Sequence, residues 1–370
     1  MNIIGISAFY HDSAVCLLSD GKVLNAVQEE RFTRIKNDMS FPVNALKFCL
    51  ENNGLEIDDI DLIVFYEKTF IKFERILESI LLSAPKGIKT FIKQMPVWIK
   101  DKIFLKKNIY DYLSNGKKDN KLYDKITFIP HHFAHSASAF YPSNFEESAI
   151  VTVDGVGEWT TASIGYGNGN KIEVFKEMSF PHSLGLFYSS LTYYLGFKVN
   201  SDEYKVMGLA PYGNESSKEF KKIYDRFKLL IKINEDGSIF LNQDFFNYLL
   251  EEKMVNEKKW LNTFGFLKRN KDDKIEQYHC DMALAGQKIL EEALLKMCRF
   301  AKLLTKSNNL SMAGGVALNC VANSKILEEG IFNNIWIQPA SGDAGGAMGS
   351  AFAGYYNYFN KPRYINNEDF

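Results

Sequence analysis

The sequence predicts an α/β protein built on a duplicated unit, with two lobes and a central cleft. Two observations predict it. A strand–turn–strand–turn–strand pattern opens the chain and recurs about 145 residues later. Towards the end of the chain, a strand, a glycine-rich loop and a helix follow one another twice.

In the first copy, Asn2 to Ser7 and Ala14 to Leu18 are apolar and β-rich, and Asp20-Gly21 is a hairpin signal before Val23 to Val27. Glu29 to Lys36 is a charged exit. Pro42 opens a helix from Val43 to Asn53 that Gly54 closes, and Ile60 to Phe65 is a buried-type strand. In the second copy, strand Ala149 to Val153 leads into the loop Asp154-Gly155-Val156-Gly157-Glu158. Strand Thr161 to Tyr166, hairpin Gly167-Asn168-Gly169 and strand Ile172 to Lys176 follow. Actin-like and sugar-kinase-like ATPases, with their ribonuclease H-like lobes, are built this way. Their paired loops clamp nucleotide phosphates from opposite sides.

This reading places a first lobe at 1–148 and a second at 149–370. The first carries a lysine-rich helical insertion at about 70–121, either a docking surface or a solvated amphipathic helix pair. The second carries a charged, aromatic and poorly patterned insertion at about 213–274. A helix from Tyr278 to Leu304 and strand Asn308 to Met312 come next. They lead into Ala313-Gly314-Gly315-Val316-Ala317-Leu318-Asn319 and a helix through Leu327. Strand Asn334 to Ile337 leads into Ser341-Gly342-Asp343-Ala344-Gly345-Gly346-Ala347 and a last helix. Such loops offer backbone N–H groups and a helix N-terminus to anions.

Composition narrows the function classes. At 370 residues the chain can bury a sizeable core, and a net charge of −1 gives no reason to expect nucleic acid as a partner. Five scattered cysteines without a CxxC pair argue against a disulfide framework or a structural zinc site. No apolar run reaches the roughly 18 residues that span a bilayer. The start of the chain lacks a basic, then apolar, leader, so a cytoplasmic location is expected.

The sharpest motif is Pro130-His131-His132-Phe133-Ala134-His135. In a helix His131 and His135 share a face, as two imidazoles on one metal must; His132 and His135 form a competing pair. Three of the six histidines fall here. A carboxylate is needed to complete a site, and Asp343 in its glycine-rich loop is the candidate, with a helix N-cap as its alternative role. Two histidines, a carboxylate and open positions suit Fe(II), with Zn or Mn as alternatives. His11-Asp12-Ser13 binds phosphate or metal, or is a simple turn.

These motifs stand together with Glu29-Glu30-Arg31-Phe32-Thr33-Arg34-Ile35-Lys36, Val153 to Trp159, His182-Ser183-Leu184-Gly185 and Glu203 to Gly213. In that order and over nearly the whole chain, the sequence resembles the nodulation- and antibiotic-type O-carbamoyltransferases.

The resemblance implies an actin-like first domain, similar to the protein that transfers threonylcarbamoyl to tRNA. That domain passes a carbamoyl group from carbamoyl adenylate to an acceptor hydroxyl beside an iron. It implies His131, His135 and Asp343 as metal ligands. Lys36, Lys205, Gly208 and the loops of Asp154, Gly155, Gly157 and Glu158 and of Gly314, Gly315, Val316 and Asn319 would line the adenylate pocket. His11, Asp12 and Lys36 would face the reacting centre. Carbamoyl phosphate, ATP with its Mg, and a glycan or small-molecule hydroxyl are the implied substrates. The family's adenylate-forming second domain is absent from these 370 residues, so it is expected in cis or in trans. The alternative is an actin-fold regulatory or interaction subunit without group transfer.

Overall fold

The computed structural model describes residues 1–82, 104–114, 120–249 and 253–365, and residues 84, 92 and 116 singly. Lysines 86 to 102 of the first insertion lie outside the described residues.

Two five-stranded sheets carry the molecule. The first contains β1 (Asn2–Ser7), β2 (Ala14–Ser19), β3 (Lys22–Gln28), β4 (Leu62–Phe65) and β5 (Ile126–Phe128), in the order β3-β2-β1-β4-β5. The second contains β6 (Glu147–Val153), β7 (Thr160–Asn168), β8 (Lys171–Ser179), β11 (Asn309–Ala313) and β12 (Asn334–Ile337), in the order β8-β7-β6-β11-β12. In each, an antiparallel meander is followed by two parallel strands beside the first. The duplication read from the hairpins therefore extends to strand order and direction.

The helices are α1 (Glu30–Thr33), α2 (Val43–Glu51), α3 (Thr69–Leu82), α4 (Leu105–Ser114), α5 (Asn120–Asp124) and α6 (His131–Phe140) in the first half. The second half adds α7 (Leu184–Tyr194), α8 (Glu203–Leu209), α9 (Lys218–Phe227), α10 (Glu257–Phe264), α11 (Gln277–Thr305), α12 (Cys320–Glu328) and α13 (Asp343–Ala353). The small pair β9 (Ile231–Ile233) and β10 (Ile239–Leu241) lies between α9 and α10.

Helices α6 and α13 exchange places. α6 follows β5 but packs on β6, β7 and β11, whereas α13 follows β12 but packs on β1, β2 and β4. The two also pack on each other at backbone distance. A Cβ built on Gly349 would lie 1.8 Å from the Ala134 carbonyl oxygen, and one on Gly5 would lie 1.9 Å from that of Ala347. Glycine is required there for space, since neither residue has a positive φ. This crossing puts the His131–His135 helix and the start of the Asp343 helix side by side at the centre of the molecule.

The stretch 213–274, read from its pattern as an insertion, supplies core. Phe227, Trp260 and Phe264 are fully or almost fully buried and join the largest apolar cluster, with α11 and the second sheet. The pattern is hard to read because α9 and α10 are short and strongly charged on their outer faces. Truncating Trp260 to alanine would cost about 3–5 kcal/mol.

Candidate functional site: a histidine–carboxylate cluster below a cleft

The candidate residues sit just beyond the C-terminal ends of strands, where open α/β sheets place their ligands. His11 follows β1, Tyr66 follows β4, and His131 follows β5; Asp154 follows β6, Gly315 follows β11, and Asp343 lies beyond β12. A cavity of about 260 Å³ opens here between the halves.

His131 begins α6, so residues 131 to 140 form one helix. Its first-turn N–H finds an acceptor in the Glu158 carboxylate, at 3.0 and 3.1 Å. His131 and His135 then lie one turn apart, with their Nε2 atoms 3.0 Å from each other. The Nδ1 atoms of both rings are sealed without a hydrogen-bond partner, so each ring presents only Nε2. His132 points elsewhere: its Nδ1 meets Thr152 Oγ1 at 2.7 Å, and Thr152 meets Ser163 Oγ at 2.6 Å. His132 is not among the ligand atoms that converge with those of His131 and His135.

Two carboxylates complete the cluster. Asp154 Oδ2 lies 3.1 Å from His131 Nε2 and 3.6 Å from His135 Nε2. Asp343 Oδ1 lies 3.6 and 3.8 Å from the same atoms. One ligand atom from each of His131, His135, Asp154 and Asp343 falls within 4.8 Å of all the others. Asp343 is not an N-cap: Gly342 occupies that position, and Asp343 turns Oδ1 towards the two histidines. Tyr66, fully buried, donates to Asp343 Oδ2 at 3.3 Å. Burial and the neighbouring Asp343 push its phenol well above the ordinary value, so it stays a donor.

The set suits a cation. Two imidazole nitrogens and two carboxylates converge in a buried space, and such nitrogens, 3.0 Å apart, need a proton or a metal between them. The charges agree. Burial would depress His131, but Asp343 and Asp154 raise it to about 9. Burial would raise Asp154, but hydrogen bonds from His131 and His135 hold it well below the carboxylate range. His132 moves the other way, well below the ordinary value, through burial and repulsion by both rings.

His11 and Asp12 stand at the cavity edge. His11 Nδ1 meets Asp12 Oδ2 at 2.9 Å and its Nε2 faces Asp343 Oδ2 at 3.7 Å. Asn37 Nδ2 fixes the other Asp12 oxygen at 2.7 Å. Burial alone would lower His11, but Asp343 and Asp12 raise it to about 9.

Of the expected pocket residues, Asp154, Gly155, Gly315, Val316 and Asn319 line the cavity, with His11, Asp12 and Asp343. Gly315 N donates to Asp154 Oδ1 at 2.9 Å, joining the two loops. Gly314, at φ +98°, adopts the conformation that lets the β11 loop turn against Val153. The Asn319 side chain is taken up in capping α12 through Ala322 N and in a reciprocal pair with Gln287.

Six expected pocket residues, Gly314 among them, do not line the cavity. Glu158 is a helix cap, and Gly157 packs against the His131 and His132 rings. Lys205 is exposed and pairs with Asp202 at 3.0 Å, Gly208 faces open space, and Met207 takes the lining position between them. Helical twist explains this, because α8 turns Lys205 and Gly208 away as it presents Tyr204 and Met207. Lys36 reaches over the cavity edge to the Ser201 carbonyl oxygen at 3.1 Å. Sequence reading missed Tyr10, Asn37, Tyr66, Ser189 and Glu203. Tyr10 and Asn37 carried a signal as neighbours of singled-out residues, and Glu203 as the first residue of the Glu203 to Gly213 motif.

The family model described as Carbamoyltransferase N-terminus matches residues 2–352. The chain belongs to the carbamoyltransferase family. An uncharacterised protein of Synechocystis is 46% identical over 369 residues, covering 100% of this chain and 59% of that one. Nodulation protein NolNO of Sinorhizobium fredii is 32% identical over 345 residues, covering 93% of this chain and 46% of that one. This carbamoyltransferase-family chain thus spans about half the length of the curated relatives it matches. Among solved structures, component A of an Acidaminococcus fermentans (R)-2-hydroxyglutaryl-CoA dehydratase is 14% identical with a TM-score of 0.44, covering 98% of this chain and 100% of that one. Among the described residues no helix is long and apolar enough to cross a membrane.

Proposed function

We propose that this chain carries the transfer site of an O-carbamoyltransferase, which moves a carbamoyl group from carbamoyl adenylate to an acceptor hydroxyl. The observation that carries the reading is the four-residue cluster directly below a 260 Å³ cavity, in a carbamoyltransferase-family chain. His131, His135, Asp154 and Asp343 would hold the metal, with Fe(II) first and Zn or Mn as alternatives. When bound, a divalent metal there supplies a Lewis acid for the carbamoyl oxygen, and its charge opposes the carboxylates that hold His11 protonated.

The chain's own groups do the rest. A carbamoyl carbon is a poor electrophile because its nitrogen donates into the carbonyl, so a phosphate leaving group is needed. Backbone at Gly155, Gly315 and Val316 gives the adenylate a close approach. The acceptor oxygen forms its bond to the carbamoyl carbon as the bond to the adenylate phosphate breaks and AMP departs. His11 is raised to about 9 in the metal-free chain by Asp343 and Asp12, and a bound divalent cation would oppose that rise. Once neutral, it is the group placed to take the acceptor proton, with Asp12 and Asn37 fixing its ring.

Synthesis of the adenylate from carbamoyl phosphate and ATP is assigned to a further domain, in cis or in trans. The test is to give these residues preformed carbamoyl adenylate, or ATP with carbamoyl phosphate. Adenylate binding by the metal-loaded chain, without pyrophosphate release from ATP and carbamoyl phosphate, is expected. Strong pyrophosphate release would move the adenylate step into this chain. A chain that takes only Mg-nucleotide and no transition metal would favour the regulatory ATPase alternative.

A further inference from the structure

The buried face of α3 carries Thr69, Lys72, Arg75 and Ile80. Cations are seldom buried without partners, and here two lie one turn apart. Lys72 pairs with Glu67 Oε2 at 2.6 Å, and its ammonium lies 4.8 Å from the centre of the Tyr10 ring. That ring is 4.5 Å from the His11 ring, centre to centre. Arg75 donates from Nη1 to the Gly157 carbonyl oxygen at 2.8 Å, with its guanidinium 4.9 Å from the centre of the Phe180 ring. At the start of the helix, Lys68 N donates to Glu158 Oε1 at 2.6 Å, the carboxylate that also receives His131 N.

α3 therefore touches two of the segments that aim the cluster, the His11 loop and the Asp154–Glu158 loop, and is linked to the first turn of α6 only through the Glu158 carboxylate. Gly157 lies directly on the His131 ring, since a Cβ there would come within 3.0 Å of it. Movement of the Gly157 carbonyl is thus transmitted to both Asp154 and His131. Lys72 is paired directly with Glu67, and the charge of Glu158 favours the charged form of Arg75.

We propose that Arg75 and Lys72 are positioning residues. Arg75 holds the loop that carries Asp154 against His131, and Lys72 holds Tyr10 against His11. The consequence for metal rests on reading the cluster as a metal site; the consequence for loop order does not. Partners behind metal ligands typically change affinity by about 10–100-fold.

The test uses the whole chain with cobalt(II), whose visible spectrum reports ligand geometry, and backbone amide exchange in the metal-free protein. Arg75→Met keeps the stem over Phe180 and loses the bond to Gly157. It is expected to speed amide exchange in residues 154–160, weaken cobalt binding about 10-fold, and alter the cobalt spectrum. Arg75→Lys should recover part of each. Lys72→Met should speed exchange in residues 9–12 and leave residues 154–160 as in the parent. Unchanged exchange and unchanged cobalt affinity in Arg75→Met overturn the proposal; should that variant not fold, the same two measurements on Arg75→Lys decide it. A parent chain that takes no cobalt refutes the metal reading, and the exchange comparison still decides the role of Arg75.

Discussion

Asp154 Oδ2 lies 3.1 Å from His131 Nε2, although the two residues leave strands of different sheets. The loop that the sequence marks as a phosphate clamp is thereby also a wall of the histidine cluster. The other Asp154 oxygen receives Gly315 N, so one carboxylate ties the cluster to the loop that follows β11.

Asp154→Ala should therefore weaken both transition-metal and adenine-nucleotide binding. A pure phosphate-loop role would leave metal content at the parent level. Metal analysis and nucleotide calorimetry on the same preparation separate the two.

The histidines should respond unequally. His131→Ala and His135→Ala remove a converging Nε2 each and should leave the anaerobically purified protein without stoichiometric metal. His132→Ala should retain it, because that ring bonds Thr152 outside the cluster. Loss of metal in His132→Ala with retention in His131→Ala would reverse the ligand assignment.

Gly315→Val should abolish measurable nucleotide affinity by calorimetry. A Cβ there meets Asp154 Oδ1 at 2.9 Å, and the added methyls extend into the cavity that residue 315 lines. Parent-like affinity would place the nucleotide elsewhere.

Gly349→Ala pushes a Cβ into the Ala134 carbonyl where α6 and α13 touch. Overpacking of this kind costs about 1–3 kcal/mol. Because these helices carry His135 and Asp343, metal affinity should fall together with the denaturant midpoint. A lower midpoint with parent-like metal affinity would show that the cluster does not depend on this crossing.

Metal uptake should be linked to protons. His131 stands raised to about 9 in the metal-free chain, and its ring must lose a proton before Nε2 can bind metal. Affinity should climb as pH rises towards about 9 and level off above it, with protons released on binding. In the metal-free chain, protonation of this ring stabilises the fold; that contribution is complete below the ordinary value of 6.5 and is lost as pH rises through about 9. Calorimetry in buffers of different ionisation enthalpy counts the protons, and a pH-independent affinity would sink the linkage.

The sequence by itself determined the two meanders, the duplication and the placing of His131 and His135 on one helix face. These are local properties: alternation and turn chemistry set the meanders, and a 3.6-residue period puts positions four apart on one face. Motif order also carried the family. The sequence also offered Asp343 as the completing carboxylate, but only the tertiary structure added Asp154 and brought both to the histidines. Asp154 and Asp343 reach the histidines because α6 and α13 exchange sheets and cross at Gly349, and no local pattern encodes a crossing. The same holds for Lys205 and Gly208, which helical phase turns away from the cavity, and for Lys72 and Arg75. Nothing in the lysine-rich stretch at about 70–121 singled those two out. Packing against Glu67, Tyr10 and the Gly157 carbonyl makes them interior, because burial is a property of what lies opposite a residue and not of the residue itself.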